Sequence, residues 1–217
     1  MEFEKTERNK VKRVPSRGHY DKQSVYEILD AGFVCHLGFE VDGQPYVIPT
    51  SYGRDGDIIY VHGATKSRLM LNMKKGIPVC LTVTHIDGIV LARSAFHHSM
   101  NYRSAIVFGT AREMSEEEKE HGLFMISENI LQDRWEESRK PTPNELKATT
   151  VLRLEIEQAS AKIRTGGPVD EPVDYELPIW AGVVPFETKI LSPKPDDRLH
   201  EQATMAESVR KLMSNGV

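Results

Sequence analysis

Apolar side chains change their spacing along the chain, and each change marks an element. Val25, Ile28 and Leu29 recur at three- and four-residue steps behind Asp21, which predicts a short helix to Ala31, capped by Asp21 and stopped by Gly32. From Phe33 the period falls to two. Phe33 to Val41, Gln44 to Tyr52 and Asp57 to His62 alternate as strands, joined at Asp42-Gly43 and Asp55-Gly56, so an antiparallel meander is predicted. Gly63 is read as breaking the third strand, and Thr65 to Lys75 as a helix with Leu69 and Met73 inward and Gly76 as its stop. Pro78 to His85 and Ile89 to Ser94 read as two strands turning at Asp87-Gly88, and Tyr102 to Met114 as one long strand. Ser115-x-x-Glu118 has the form of a capping box for a helix to about Leu131.

The rest is quieter. Residues 133–147 are polar and hold two prolines; Val151 to Ile156 and Ser160 to Arg164 alternate as closing strands. Residues 165–178 read as a loop, Ile179 to Phe186 as an apolar patch, and about Asp197 to Met213 as a helix. Some seven strands without strand–helix–strand alternation predict a mainly β (α+β) chain: an antiparallel barrel, closed or partly closed, with inserted and C-terminal helices. The expected layout is a polar arm over 1–20, a barrel over 21–190 and a helical extension over 191–217.

Composition narrows the function classes. Of 217 residues, 39% are hydrophobic and 28% charged, with a net charge of -4, so no bulk charge favours nucleic acid or anionic membrane. The opening carries Lys10, Lys12, Arg13 and Arg17, but without interleaved aromatic residues it reads as a solvated arm. Cys35 and Cys80 sit in apolar stretches as small buried hydrophobes. The charged N-terminus has no apolar leader, and no run approaches the ~20 residues of a membrane span, so a soluble cytoplasmic protein is expected.

Four stretches hold candidate chemistry. His62-Gly63-Ala64 runs into Ser67-Arg68 at a predicted helix start, where unpaired N–H groups, a hydroxyl and a guanidinium suit a phosphate; a capped helix with a surface arginine is the plain alternative. His97 and His98 precede Asn101-Tyr102-Arg103-Ser104, which offer a second cation and ring-edge partners; a metal or haem site through His97 and His98 is the rival reading, though adjacent histidines point apart in extended chain and rarely chelate one ion. Pro49-Thr50-Ser51-Tyr52 ends a strand with hydroxyls, and Trp180 precedes small residues that suit a flat ligand, a core or a subunit contact. No nucleophile elbow and no paired-carboxylate arrangement appears. The residues alone define an anion-and-ring site without a named reaction.

Together, Tyr46 to Tyr52, Tyr60 to Ala64 with Ser67-Arg68, His97 to Ser104 and Trp180 to Pro185 resemble the pyridoxamine 5'-phosphate oxidase-like family of FMN-binding split barrels, over roughly residues 15 to 186. The branch of nitroimidazole-resistance proteins is the nearest in pattern. The resemblance implies a homodimer with FMN at the subunit interface. It implies that Pro49, Thr50, Ser51 and Tyr52 line the ring edge, and that His62, Gly63, Ala64, Ser67 and Arg68 hold the ribityl chain and phosphate. Asn101, Tyr102, Arg103 and Ser104 would complete the site, Arg103 toward the phosphate, and Trp180 would approach the ring. True pyridoxamine phosphate oxidases carry an arginine after the late tryptophan; here Trp180-Ala181-Gly182-Val183-Val184-Pro185 has none, so that substrate is not expected. The function implied is an FMN-dependent, nitroreductase-like oxidoreductase on a small molecule. A flavin store or sensor without turnover, a haem-binding relative and a deazaflavin cofactor are the rivals. No residue is required as acid or base, although His62 and His98 titrate near neutral pH.

Overall fold

The computed structural model describes residues 1–215. Nine strands run in the order β1-β8-β6-β7-β4-β3-β2-β5-β9, and a further β5–β6 pairing closes six of them into a ring. The strands are β1 (Gly18–His19), β2 (Val34–Val41), β3 (Gln44–Asp55), β4 (Ile58–Ala64), β5 (Pro78–Leu91), β6 (Ser99–Glu113), β7 (Thr149–Glu155), β8 (Gln158–Arg164) and β9 (Gly182–Pro185). Two long strands change partner midway, which splits the barrel. β3 pairs with β2 through Ser51 and with β4 from Tyr52, while β6 leaves β5 and β8 near Thr110 to meet β7.

The ring encloses the core. Leu37, Tyr52, Ile59, Leu81, Leu152 and Leu154 are fully buried in it. Helix α1 (Lys22–Asp30), capped by Asp21, adds Val25, Ile28 and Leu29; the short helix α2 (Arg68–Met73) adds Leu69, Met70 and Met73. Each such side chain contributes about 1.5–3 kcal/mol of transfer free energy. Helix α3 (Lys119–Ile130) lies outside, on β3, β4 and β7, with Ile126 against a second cluster of Tyr60, Met114 and Val151. The seat is close: a Cβ on Gly122 would come within 2.7 Å of the Val151 side chain. Two further helices are α4 (Pro143–Ala148), held by a Thr142/Glu145 capping box, and α5 (Glu207–Asn215).

Several elements depart from the sequence reading. Asp42-Gly43 makes the expected hairpin, both residues at positive φ, but the next turn falls one residue late, at Gly56-Asp57 between the paired Asp55 and Ile58. Gly63 does not end its strand; it stays in register with Thr150. Asp87-Gly88 is a bulge inside one continuous β5, because Gly88 lets β9 pass so closely that a Cβ would sit 2.8 Å from the Val184 carbonyl oxygen. Helix α3 starts at Lys119: Glu118 accepts from the Ser115 N–H at 3.1 Å, and that turn precedes the helix proper. The C-terminal helix begins only at Glu207, where the Glu137 carboxylate accepts from the Glu207 N–H at 2.8 Å. The arm read as solvated is docked. Phe3 is buried against Tyr26, and β1 pairs with β8.

Candidate functional site

Strand alternation decides where each candidate points. Tyr46, Ile48, Thr50 and Tyr52 share the barrel side of β3; Val47, Pro49 and Ser51 take the outer side. Tyr52 is fully buried and its hydroxyl donates to the Leu29 carbonyl, so its side chain belongs to the core and not to a ring-edge site. Pro49 faces His36, then Thr82, Ile106 and Ser160 in one cross-strand row, which makes β3, β2, β5, β6 and β8 a single outer face. Among the described residues no α-helix packs on that face. Along it Val34, Val47, Ile86, Ile89, Met100 and Val184 remain exposed.

The turn before α2 is a capped helix start. Ser67 is the N-cap, and its hydroxyl accepts from the Met70 N–H at 3.3 Å. The helix has six residues, so its end field is modest. Arg68 therefore carries most of the positive charge. Its guanidinium lies 4.8 Å over the Tyr46 ring, which stacks on Phe39 at 5.5 Å, and among the described residues it has no carboxylate partner. Gly63 leaves room for Met70, whose Cε would meet a Cβ there at 3.1 Å; Ala64 ends β4 in the open.

His62 points elsewhere, into a groove of about 330 Å³ under α3, with Leu123, Ser127, Trp135 and Arg139 around it. Its Nδ1 is buried without a hydrogen-bond partner, and burial lowers its pKa, which favours the neutral imidazole. Arg139 is engaged by Glu145 at 2.8 Å.

The run before β6 divides. Arg103 forms a bidentate pair with Asp87, Nη2–Oδ1 at 2.9 Å and Nε–Oδ2 at 3.1 Å, so its charge is answered within the chain rather than held for a phosphate. Asn101 donates to the Gly166 carbonyl at 3.1 Å and accepts from Arg164. His98 accepts from the Ala92 N–H at 3.1 Å and pins its own loop. Tyr102 and Ser104 stay on the outer face, beneath Arg8, Lys10 and Lys12 of the arm. Trp180 is 66% exposed, its ring lying close over Gly182 on β9. Thus β2 and β5 separate Pro49 and Ser51 from Tyr102 and Ser104, with Arg68 and His62 on other surfaces. Sequence reasoning missed Asp87, Arg164 and the arm cations, whose relevance depends on long-range pairing. Among the described residues no cluster of three His, Cys, Asp or Glu side chains suits a metal ion, and no helix is long and apolar enough to cross a membrane.

A six-strand ring with two partner-switching strands, flanked by an exposed cation and an uncovered sheet face, is the architecture of a split barrel of the flavin-oxidase type. The family model described as pyridoxamine 5'-phosphate oxidase matches residues 21–163, and the chain belongs to this family. Among solved structures it is similar to the flavocytochrome Anf3 from Azotobacter vinelandii, at 38% identity and a TM-score of 0.89 over 95% of this chain and 96% of that one. It is similar to the FAD and heme binding protein from Mycobacterium smegmatis, at 32% identity and 0.86 over 90% and 96%. The 5-nitroimidazole antibiotic resistance protein from Bacteroides thetaiotaomicron, at 24% and 0.57 over 67% and 86%, shares the fold. No curated protein matches the chain.

Proposed function

We propose that the chain binds a flavin and works as a redox protein on a small molecule, as a homodimer. The observation that carries this is Arg68, a cation without a carboxylate partner among the described residues, held by stacking on Tyr46 beside the Ser67 cap. An arginine so placed forms a charge-assisted fork with a phosphate. The family's own pattern suggests FMN, whereas the Mycobacterium smegmatis relative binds FAD. When bound, the flavin supplies the two-electron chemistry. The protein's part is to anchor the phosphate at Arg68 and to exclude water. The exposed apolar side chains on the outer sheet face support a second copy as the covering partner. The missing arginine beside Trp180 argues against pyridoxamine phosphate as substrate.

Freshly purified protein should be yellow, should bleach under anaerobic NAD(P)H and should reoxidise with a nitroaromatic acceptor. Arg68→Ala should weaken flavin retention by about 1.5–3 kcal/mol, roughly 10- to 150-fold. Unchanged retention would exclude Arg68 as the anchor.

One observation favours haem as a second group, as in the two relatives above 30% identity. His62 lines the groove with Leu123 and Trp135, burial favours its neutral imidazole, and a neutral imidazole fits an axial ligand. A Soret band that His62→Gln removes while the flavin spectrum persists is the expected result. A Soret band unchanged in that variant would move the ligand elsewhere.

A further inference from the structure

The arm roofs one end of the outer sheet face. Asn9 is 3% exposed, and its amide donates to the carbonyls of Glu4 at 2.8 Å and Ala159 at 3.0 Å. Further along, the Val11 N–H donates to the Tyr20 hydroxyl at 2.8 Å. Val11 also lies so close to Gly18, the partner of Lys162, that a Cβ there would meet it at 2.9 Å. Beneath this stretch is a cavity of about 260 Å³, floored by Tyr102, Ser104, Ile106 and Phe108 of β6.

The two ends of the cavity differ. At the Phe108 end, Arg8 lies 5.1 Å over the Phe108 ring, pairs with Glu157 at 3.2 Å and donates from Nε to Gln158 at 2.7 Å. That end is flat, apolar and balanced in charge. Four residues back along β6, about 13 Å away, Ser104 pairs with Lys162. Lys10 and Lys12 share the carboxylate of Glu7, at 3.2 and 3.4 Å, whereas Lys162 has no carboxylate partner among the described residues. Beyond it Arg164, 5% exposed, sits opposite Tyr102, and its guanidinium meets only the neutral oxygens of Asn101, Gly166 and Gly167. Positive potential therefore collects at the Lys162 end, beside the hydroxyls of Ser104 and Ser160, and apolar surface at the other. A partly buried cation without a counter-charge is costly, and a bound anion offsets that cost. A phosphate dianion would have to draw Lys10 or Lys12 off Glu7; a carboxylate needs Lys162 alone. Ile106 and Phe108 then call for a flat apolar body joined to that acid group.

We propose that the cavity beneath the arm binds a small aromatic carboxylate, with the acid group at Lys162 and the ring over Ile106 toward Phe108. Arg68 is on another surface, so this site stands apart from the flavin reading.

Full-length protein is titrated calorimetrically with phenylacetate, acetate, benzyl alcohol and inorganic phosphate. Phenylacetate should bind at least about tenfold more tightly than acetate, which lacks the ring, and than benzyl alcohol, which lacks the charge. Lys162→Met keeps the apolar stem and removes the charge; it should lower phenylacetate affinity by about tenfold or more, with a melting curve confirming the fold. Lys12→Glu, on the exposed arm, sets a like charge at the rim and should lower that affinity about fivefold, which keeps the test alive if Lys162→Met does not fold. Unchanged phenylacetate affinity in a folded variant overturns the proposal. So does acetate, benzyl alcohol or phosphate bound as tightly as phenylacetate, and so does a parent protein that binds none of the four.

Discussion

Replacing Gly53 by alanine tests how α3 is seated on the barrel. A Cβ at that position would lie 2.3 Å from the Met125 carbonyl oxygen and 2.6 Å from the Ile126 nitrogen. Ordinary contact begins at 3.4 Å, so one wall must withdraw by about 1 Å. The obstructing atoms are helix backbone, which cannot rotate aside as a side chain does. Overpacking of this kind costs about 1–3 kcal/mol. Withdrawal also stretches the Asn129 amide bonds to Gly32 at 3.0 Å and Tyr52 at 2.9 Å, each worth about 0.5–1.5 kcal/mol. A total near 3 kcal/mol follows, which for a chain of this size lowers Tm by about 6–12 °C. Scanning calorimetry or a circular-dichroism melt reads it. Gly167→Ala is the control: its Cβ would meet nothing within 4 Å, and the change should stay within about 0.5 kcal/mol. Because α3 supplies Leu123 and Ser127 to the His62 groove, Gly53→Ala should also loosen that groove. A variant melting within about 2 °C of the parent would refute the close seat.

Three further outcomes follow from buried groups. Burial raises the Asp170 carboxyl, but the N–H groups of Arg93 at 3.0 Å and Ser94 at 3.1 Å, with the Arg93 guanidinium, outweigh it and hold the carboxyl below its ordinary range. Its stabilising effect is therefore complete above the unfolded value of about 3.9 and is lost as pH falls through the folded one. Asp170→Asn should flatten the acid limb of the stability curve, and an unaltered limb would count against the buried carboxylate. The Cys35 thiol is pushed up to about 12 by burial, while Cys80, half-buried, is raised as well. Iodoacetamide should therefore modify Cys35 only after denaturation, and modification of native Cys35 at the rate of Cys80 would contradict its burial. His62 is lowered by burial, so protonating it opposes folding as pH falls below about 6.5, and an NMR titration midpoint at or above that value would show the groove to be wet.

What could be read in the sequence was local. Val25, Ile28 and Leu29 identify α1's buried face, and Asp42-Gly43 specifies its hairpin, because one helix turn or one pair of positive φ angles suffices. The same Asp-Gly signal misled at Asp87-Gly88, where the glycine serves a neighbour almost a hundred residues away. Arg103 read as a free cation because Asp87 reaches it only through the β5–β6 register, and Tyr52 read as a site residue because nothing local shows that Leu29 takes its hydroxyl. The arm looked solvated since its charges outnumber its apolar residues. Phe3 and Asn9 are buried nonetheless, and with the β1–β8 pairing they dock it.

The placement of the remaining candidates constrains any ligand that uses them together. Ser51 and Ser104 lie on one outer face, three strand spacings apart, or about 14 Å. A molecule touching both must lie flat across β2 and β5, over Val34, His36, Thr82 and Thr84, of which Val34, His36 and Thr84 are exposed to water. Electron transfer confined to a chosen acceptor needs that shield. The exposed Val34, Ile86, Ile89 and Met100 flank the same track, so a second copy laid on this face would bury apolar surface and cover the ligand in one step. If the proposed dimer uses this face, its formation and the retention of the proposed flavin are coupled. Flavin removal should then raise the dimer's dissociation constant, and a dilution series by analytical ultracentrifugation showing identical dissociation with and without flavin would separate the two.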